Sequence, residues 1–283
     1  MNVLVTGSHG QLGQCLQDVV TQEKPSSITF VFLGSSDLDI TNTDQLKNVF
    51  QTGNFEFCVN CAAYTAVDAA EEHQELAFKV NAEGVKNIAE VCKAHNTTLI
   101  HISTDFVFDG KKRTPYKEID TPNPINVYGE SKLAGETFLQ DILDRYFIIR
   151  TSWLYSGYGH NFVKTMLRLF KEKDALNVVD DQGGSPTYAG DLAKFIYNII
   201  SSQPTNYGVY HFSNLGETTW FRFAKQIKEL SQSHVKITPI TSSEFPTKAV
   251  RPKYSVLSTK KVEETFRYKL SHWKDSLQKM LMI

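Results

Sequence analysis

The first residues of the chain place a short apolar strand directly before a glycine-rich turn and a helix. Asn2-Val-Leu-Val-Thr6 is β-branched and apolar, as strands buried in a parallel sheet are. It runs into Gly7-Ser-His-Gly10-Gln-Leu-Gly13 and then into apolar residues at helical spacing. Such a turn lets a pyrophosphate approach the helix N-terminus, so the segment predicts a dinucleotide-binding unit. The spacing is G-x-x-G-x-x-G, and a turn that merely joins strand to helix is the other interpretation.

Strand-like runs alternate with helical patterns over the first part of the chain. The runs lie at 2–6, 28–33, 57–60, 98–103 and 146–151. Their alternation predicts an α/β fold with a Rossmann-like doubly wound parallel sheet. We predict a dinucleotide-binding Rossmann domain over 1–151 and a smaller C-terminal substrate-binding lobe over 152–283, with an approximate boundary and interleaved segments.

Helical spacing and turn residues complete this outline. The segment 67–95 is predicted to form two helices in succession, and the turn-rich segment 109–125 a loop near the site. Beyond residue 152 predicted strands and helices no longer alternate regularly, and long connections separate the elements. The helices predicted there lie at about 160–171, 188–201 and 218–231.

A tyrosine and a lysine lie one turn apart on the helix predicted over 126–140. Tyr128 and Lys132 are separated by four residues and therefore share a helical face. Free tyrosine has a pKa of about 10, and a neighbouring ammonium lowers it. The pair suits acid–base chemistry on a carbonyl or an alcohol. An isolated Y-x-x-x-K pair usually lies on a solvated helix surface, but the glycine turn upstream favours the catalytic interpretation.

The fourth predicted strand ends in a hydroxyl and an acid, Thr104 and Asp105. Ligands of open α/β sheets bind beyond the carboxyl ends of the strands. Thr104 is therefore expected near the glycine turn, where its hydroxyl can bind a substrate carbonyl oxygen and orient it towards the tyrosine. Taken alone, a hydroxyl at a strand end more often satisfies the local backbone.

The end of the second predicted strand bears on the choice of cofactor. An acidic residue at this position binds the ribose 2′-OH in sites selective for NAD. The chain has Gly34-Ser35-Ser36 here, with Asp37 and Asp39 further on and no arginine to clamp a phosphate. Small hydroxyl side chains leave room for a 2′-phosphate. The sequence therefore favours NADPH, with NADH also accepted.

Composition limits the function classes. The 283 residues are 41% hydrophobic with a formal net charge of −1, which fits a globular protein and argues against binding nucleic acid. No apolar run is long enough to span a membrane, and the chain begins at once with a strand. We expect a cytoplasmic protein that does not bind membranes. Cys58 and Cys61 form a C-x-x-C without a second pair, and we expect two small buried side chains and no metal.

Taken together, these motifs resemble the extended short-chain dehydrogenase/reductase family over nearly the whole chain. The resemblance is strongest to the branch that makes dTDP-L-rhamnose. It implies NADPH-dependent reduction of the C4 keto group of dTDP-4-dehydro-β-L-rhamnose, with a small nucleotide sugar as the partner. The matching segments are 5–13, 38–41, 59–71, 103–108, 126–136, 150–155, 161–168, 181–187 and 251–255.

The resemblance also implies roles for individual residues. Thr104, Tyr128 and Lys132 would be catalytic, with Tyr128 protonating the alkoxide and Lys132 holding the nicotinamide ribose and lowering the Tyr128 pKa. Asp105 and Trp153 would contact the sugar together with Thr104. The cofactor would be bound by Gly7, His9, Gly10, Gln11, Leu12, Gly13, Ser35, Asp39, Ile40, Ala62, Ala63, Tyr64, Thr65, Tyr128 and Lys132.

One departure from the family concerns assembly. Some relatives form a dimer through a metal ion held by glutamates, and the corresponding positions here are Cys15 and Gly190. Neither residue supplies the carboxylate oxygens that a hard cation requires. We therefore expect a monomer or a weak homodimer.

Two other functions fit the same family. The first is a non-catalytic regulatory subunit resembling the β subunit of methionine adenosyltransferase, and the intact Thr104, Tyr128 and Lys132 argue against it. The second is a nucleotide-sugar epimerase or dehydratase. Dehydratases of the family place further acidic residues after the threonine, whereas here Asp105 is followed by Phe106.

Overall fold

A computed structural model describes residues 1–282 of the chain. Six of its strands form a central sheet, and the others form short two-stranded pairs. The strands are β1 (Asn2–Thr6), β2 (Thr29–Leu33), β3 (Phe55–Asn60), β4 (Thr98–Thr104), β5 (Tyr146–Thr151), β6 (Leu154–Tyr155), β7 (Ala175–Val179), β8 (Gly183–Gly184), β9 (Thr187–Tyr188), β10 (Gly208–His211), β11 (Thr218–Thr219) and β12 (Lys236–Ile240).

Helices connect the strands and cover the sheet. Short 3₁₀ helices cover Asp105–Val107 and Ser242–Glu244, and a π-helical turn covers Lys79–Glu83. The α-helices are α1 (Gln11–Glu23), α2 (Thr43–Gly53), α3 (Val67–Ala70), α4 (Gln74–Phe78), α5 (Gly84–Ala94), α6 (Val127–Ile142), α7 (Phe162–Glu172), α8 (Ala189–Ser202), α9 (Trp220–Leu230), α10 (Lys260–Phe266) and α11 (Trp273–Leu281).

The central sheet is parallel and has the order β10-β5-β4-β3-β1-β2. The chain moves outward from β1 to β2 and then crosses back to place β3 on the other side of β1. The carboxyl ends of β1 and β3 therefore mark the topological switch point, where ligands bind in such sheets. The predicted α/β fold class, a Rossmann-like doubly wound sheet, is confirmed.

Each face of the sheet has its own hydrophobic core, because successive side chains of a strand point to opposite faces. Val5 packs on one face with residues of α1 and α8, including Leu16 and Ile196. Leu4 packs on the other face with residues of α2, α5 and α6, including Ile88 and Leu139. This double covering is what a continuous apolar strand such as β1 requires.

The smaller lobe packs around a third core. Helices α7, α9 and α11 and the paired strands β7 and β12 enclose it, with Met166, Phe223, Ile227 and Leu277 among its buried residues. The helices predicted at about 160–171, 188–201 and 218–231 are confirmed as α7, α8 and α9. Strand β10 and helix α8, however, follow residue 152 and join the central sheet. The division at residue 151 stays a prediction, and the two parts of the chain are interleaved there.

Two features of the structure differ from the sequence-based prediction. The segment 67–95 forms three α-helices and a π-helical turn rather than two helices. Strand β10 was not predicted. Cys58 and Cys61 are free thiols that pack against opposite faces of the sheet; Cys58 is buried as expected, whereas Cys61 is only partly buried. None of the helices within residues 1–282 is long and apolar enough to cross a membrane.

Candidate active site

A cavity of about 540 Å³ opens at the switch point of the central sheet. The glycine turn, the loop after β3, the end of β4 and one face of α6 surround it. Sequence elements far apart along the chain thus converge as the resemblance implied. The predicted site residues that line the cavity are Gly10, Gln11, Leu12, Gly13, Ala63, Thr65, Thr104, Asp105, Tyr128, Lys132 and Trp153.

The glycine turn forms a backbone cradle at one side of the cavity. Gly7 has a φ of +65°, and a Cβ on it would lie 2.5 Å from the backbone nitrogen of Ala62. A Cβ on Gly13 would lie 2.6 Å from the backbone of Ser8. Helix α1 begins after Gly10, which has no side chain to cap it, so the first amide groups of the helix are left for a ligand. A dinucleotide diphosphate fits this cradle, because it needs donors and close backbone approach.

The loop after β3 is held beside the cavity by Asn81. The amide of Asn81 accepts a hydrogen bond from Tyr64 N at 2.9 Å and donates to Tyr64 O at 3.0 Å. It also donates to the hydroxyl of Ser131 on α6 at 3.0 Å. Asn81 lies in the π-helical turn and is buried. Sequence reasoning missed it, because an asparagine within a helical pattern carries no signal of its own.

The end of β2 differs from the expectation. Ser35 is exposed, but Asp37 turns back so that its carboxylate accepts a hydrogen bond from Gly34 N at 2.9 Å. The strand end therefore carries an acid after all. The ring of His9 lies against Gly34, since a Cβ there would be 2.4 Å from His9 Nδ1. The tight turn from Gly34 to Asp37 hides this arrangement from a reading of the sequence alone.

Other predicted cofactor residues lie around the cavity without lining it. The carboxylate of Asp39 accepts from the backbone and hydroxyl of Thr41, both at 2.9 Å. Ile40 is buried in the core beneath α2 and α5. The remaining predicted residues outside the cavity lining are Gly7, His9, Ser35, Ala62 and Tyr64. Their contacts with a cofactor stay predictions.

Tyr128, Lys132 and Thr104 face the cavity from two elements. Asn126 begins α6 by accepting a hydrogen bond from Gly129 N at 2.8 Å, which fixes where Tyr128 enters the helix. The amine of Lys132 is buried and donates to the carbonyl of Ile102 on β4 at 2.7 Å. Thr104 ends β4, so its hydroxyl lies at the same edge of the sheet.

Burial controls the protonation of this pair. It raises the pKa of Tyr128 to about 12, although a hydrogen bond with Thr104 opposes the rise. It lowers the pKa of Lys132 to about 8, although the carboxylate of Glu136 opposes the fall. The phenol is therefore protonated at neutral pH. The predicted lowering of the Tyr128 pKa by Lys132 is not found in this structure.

Asp105 lines the cavity, and one of its carboxylate oxygens is buried. Its Oδ1 accepts a hydrogen bond from the Thr104 hydroxyl at 3.1 Å. Its Oδ2 makes no hydrogen bond of good geometry within residues 1–282, although the Ser255 hydroxyl lies close enough to lower the pKa of the carboxyl. Burial raises the pKa of this carboxyl to about 7. A buried acceptor without a donor costs free energy that a ligand hydroxyl would recover.

Trp153 enters the cavity from an unusual backbone conformation. Its φ of +47° is rare for a bulky residue. The indole stacks on Trp220 with the centroids 3.5 Å apart and the planes 9° from parallel. Trp220 Nε1 in turn donates to Gln182 Oε1 at 3.1 Å. Sequence reasoning did not single out Trp220, which comes from the smaller lobe.

The doubly wound sheet, the glycine cradle and the Tyr128–Lys132 pair on one cavity define an oxidoreductase of the short-chain dehydrogenase/reductase class. A family model described as the RmlD substrate binding domain matches residues 1–283. The chain therefore belongs to the RmlD family, in agreement with the resemblance found from its motifs.

Relatives of known name agree with this assignment. The chain is 40% identical to a dTDP-4-dehydrorhamnose reductase from Aggregatibacter actinomycetemcomitans, over 98% of this chain and 97% of the relative. It is 37% identical to the reductase of that name from Escherichia coli (strain K12), over 99% of this chain and 97% of the relative.

Solved structures show the same likeness. A dTDP-4-dehydrorhamnose reductase from Bacillus anthracis in complex with NADP matches with a TM-score of 0.95 and 41% identity, covering 99% of this chain and 98% of that chain. The UDP-glucose 4-epimerase of Thermus thermophilus in complex with NAD has a TM-score of 0.85 at 18% identity and covers 100% of this chain and 98% of its own. At that identity the likeness shows the fold alone.

Proposed function

We propose that this protein reduces the C4 keto group of dTDP-4-dehydro-β-L-rhamnose to give dTDP-L-rhamnose, with NADPH as the reductant. The observation that carries the proposal is the single cavity that joins the glycine cradle to Thr104, Tyr128 and Lys132. Relatives that share about two-fifths of their residues with nearly the whole chain are named for this reaction.

When bound, reduced nicotinamide supplies a hydride to the carbonyl carbon of the sugar. The carbonyl π electrons then move to the oxygen, which needs a proton. Tyr128 holds that proton, because burial raises its pKa to about 12 and keeps the phenol neutral. The phenol gives the proton to the C4 oxygen and is later reprotonated from solvent. We assign Tyr128 as the general acid.

Thr104 and Lys132 orient this transfer. The Thr104 hydroxyl lies at the end of β4 and lines the same cavity as Tyr128, so it is placed to bind the same C4 oxygen. Lys132 faces the cavity from the turn below Tyr128, with one N–H held by Ile102 O. We assign its other N–H groups to the ribose hydroxyls of the cofactor.

Asp105 and Trp153 are proposed to recognise the sugar. The free Oδ2 of Asp105 is an acceptor for a sugar hydroxyl, and burial favours a partner that brings its own donor. The indole of Trp153 offers a flat apolar surface in the lining of the same cavity. Apolar sugar faces commonly pack on aromatic rings of this kind, because both surfaces lose water.

The cofactor assignment combines two kinds of support. A solved relative that shares 41% of its residues is in complex with NADP. The exposed Ser35 leaves space for a 2′-phosphate, whereas the carboxylate of Asp37 nearby disfavours it. We therefore propose NADPH as the cofactor, with NADH accepted less well.

The activity is tested by following NADPH oxidation in the near ultraviolet with dTDP-4-keto-6-deoxy-L-mannose as substrate. Parallel reactions contain UDP-linked sugars, and product is identified by mass as the two-hydrogen adduct. Oxidation that depends on the dTDP sugar supports the proposal. Cofactor binding without any turnover of the sugar would favour the regulatory alternative, and turnover of a UDP sugar without net oxidation would favour an epimerase.

Two residues on α1 and α8 bear on whether the protein forms a dimer. Cys15 on α1 and Gly190 on α8 line one cavity between these helices, and neither side chain supplies a carboxylate. Within residues 1–282 there is no group of three or more side chains of the metal-binding types placed to hold an ion. We propose a monomer or weak homodimer that acts in the cytoplasm, and sedimentation with and without a chelator tests the assembly.

A further inference from the structure

A chain of buried hydrogen bonds crosses three neighbouring strands just behind the catalytic pair. The hydroxyl of Thr6 on β1 donates to Asn60 Oδ1 on β3 at 2.7 Å, and Ala62 N donates to the same oxygen at 3.1 Å. Asn60 Nδ2 lies 3.1 Å from His101 Nδ1 on β4. Thr6, Asn60 and His101 are all buried, so each group must find its partner within this chain.

The direction of these bonds fixes the tautomer of His101. A backbone N–H can only donate, so the oxygen of the Asn60 amide must face Ala62 and its nitrogen must face the imidazole. An amide NH₂ also only donates, which makes His101 Nδ1 an acceptor. The proton of the neutral ring is therefore on Nε2.

The protonated Nε2 faces Lys132. The two nitrogens lie 3.4 Å apart, and the lysine amine also donates to Ile102 O at 2.7 Å. An ammonium has no lone pair to accept the Nε2 proton, so this contact is a hydrogen bond only when the lysine amine is neutral, and it offers the ammonium no acceptor. We propose that His101 is a positioning residue for Lys132, whose proton on Nε2 turns the free N–H groups of the lysine away from the sheet and into the cavity.

The surrounding charges are consistent with this role. Lys132 is faced by Cys61 from the loop after β3, by His101 from β4, and by Tyr128 and Glu136 from α6. Glu136 is itself paired with Arg150 at 2.6 Å.

Burial and the nearby lysine both lower the pKa of His101 well below its ordinary value, so the ring stays neutral. Burial lowers the pKa of Lys132 to about 8, and a facing N–H disfavours the ammonium further.

The tautomer can be measured directly on the full chain without cofactor. Protein labelled with ¹⁵N-histidine is examined by two-bond ¹H–¹⁵N correlation, in which the protonated and bare ring nitrogens are well separated. His101→Phe assigns the signals. We expect His101 to carry its proton on Nε2 and to show no titration across the neutral range. A proton on Nδ1, or a ring that titrates near its ordinary pKa, would overturn the proposal.

Asn60→Asp reverses the hydrogen bond while keeping the shape of the side chain. The carboxylate accepts from Nδ1–H, which moves the proton from Nε2 and leaves a bare acceptor facing Lys132. The Lys132 pKa, followed through ¹³Cε-lysine signals, should rise towards its ordinary value of about 10.4. The Kd for NADPH, measured by binding alone, should rise about tenfold as the lysine turns inward. Retention of the Nε2 proton in this variant would contradict the mechanism.

Thr6→Val is the matched control. It removes one donor to Asn60, but Ala62 N still fixes the amide, so the tautomer and the Lys132 titration should stay as in the wild type. A loss of melting temperature in Asn60→Asp with no change in tautomer, titration or Kd would mean a merely structural role.

The inference rests on the proposed function only in assigning the cavity to a dinucleotide. If His101 has the expected tautomer but the dTDP sugar is not reduced, the proposed function fails and the role of His101 stands. If the sugar is reduced but the tautomer is reversed, the role of His101 fails alone.

Discussion

Trp153 lies flat against Trp220, which joins the cavity wall to a helix of the smaller lobe. The stack explains how a tryptophan can persist at a φ of +47°. A bulky residue in this region carries strain of about 1–3 kcal/mol, which neighbouring contacts must offset. Phe162 also packs on Trp220, with the centroids 4.6 Å apart, so the support extends into the core of the lobe.

We expect Trp220→Leu to raise the KM for the nucleotide sugar about tenfold, equivalent to about 1.4 kcal/mol. Without the stacked ring, Trp153 relaxes from its strained conformation and no longer presents its indole to the sugar. The Kd for NADPH should stay unchanged, because the cradle lies on the Rossmann side of the cavity. Trp220→Phe keeps an aromatic surface and is the control. An unchanged KM in Trp220→Leu would remove the stack from substrate recognition.

Tyr128→Phe should keep the fold and the Kd for NADPH while lowering kcat roughly 10²–10⁴-fold, the usual range for a general acid. The substitution removes only the hydroxyl, and the ring still packs edge-on against Phe106. Stopped-flow measurement of hydride transfer and a thermal melt together separate chemistry from stability. Near-full turnover in this variant would show that another group supplies the proton.

The sequence predicted the site well where function depends on position along a strand. Thr104 ends β4 and Gly10 follows β1, and the carboxyl ends of parallel strands share one edge of the sheet, so their convergence follows from topology. Tyr128 and Lys132 are similarly related by helical geometry alone.

The remaining features depend on contacts between distant residues. Strand β10 is four residues long and is a strand only because β5 offers it an edge. Asp37 reaches the end of β2 through a turn that needs no unusual residue. The partnership of His101 with Asn60 and Lys132 joins three separate elements, and no spacing in the sequence encodes it.

Asp105→Asn should stabilise the cofactor-free protein at alkaline pH. Burial raises the folded pKa of Asp105 to about 7, whereas an unfolded aspartate titrates near about 3.9. The unfolded state therefore loses its proton first, and the wild type loses stability as pH rises from about 4 to 7. The total loss is about 4 kcal/mol at most, from a shift of about three pKa units.

Melting temperatures at about pH 4 and pH 8 test this linkage. The variant should match the wild type at the lower pH and exceed it at the higher pH. Asp109→Asn is a control of opposite sign, because hydrogen bonds from Lys111 N, Tyr116 and Asn123 lower the Asp109 pKa. That variant should be less stable than the wild type at neutral pH. If the melting temperature of Asp105→Asn did not rise relative to that of the wild type between about pH 4 and pH 8, the raised pKa of Asp105 would be contradicted.

Cofactor selectivity should depend on Asp37. Its carboxylate lies at the end of β2, where it repels a 2′-phosphate, while the exposed Ser35 leaves space for one. We expect the wild type to prefer NADPH by about tenfold or less, since no clamping arginine offsets the acid. Asp37→Asn keeps an oxygen for Gly34 N but removes the charge, so it should raise kcat/KM for NADPH a further few-fold and leave NADH little changed.

Because the charge of Asp37 is exposed, the gain in kcat/KM for NADPH should shrink at high salt. Asp141→Asn is the control: it removes a negative charge from the exposed side of α6 and should change kcat/KM for neither NADPH nor NADH. Side-by-side kcat/KM values for both cofactors decide the matter, and a strong wild-type preference for NADH would show that the Asp37 carboxylate dominates this end of the site.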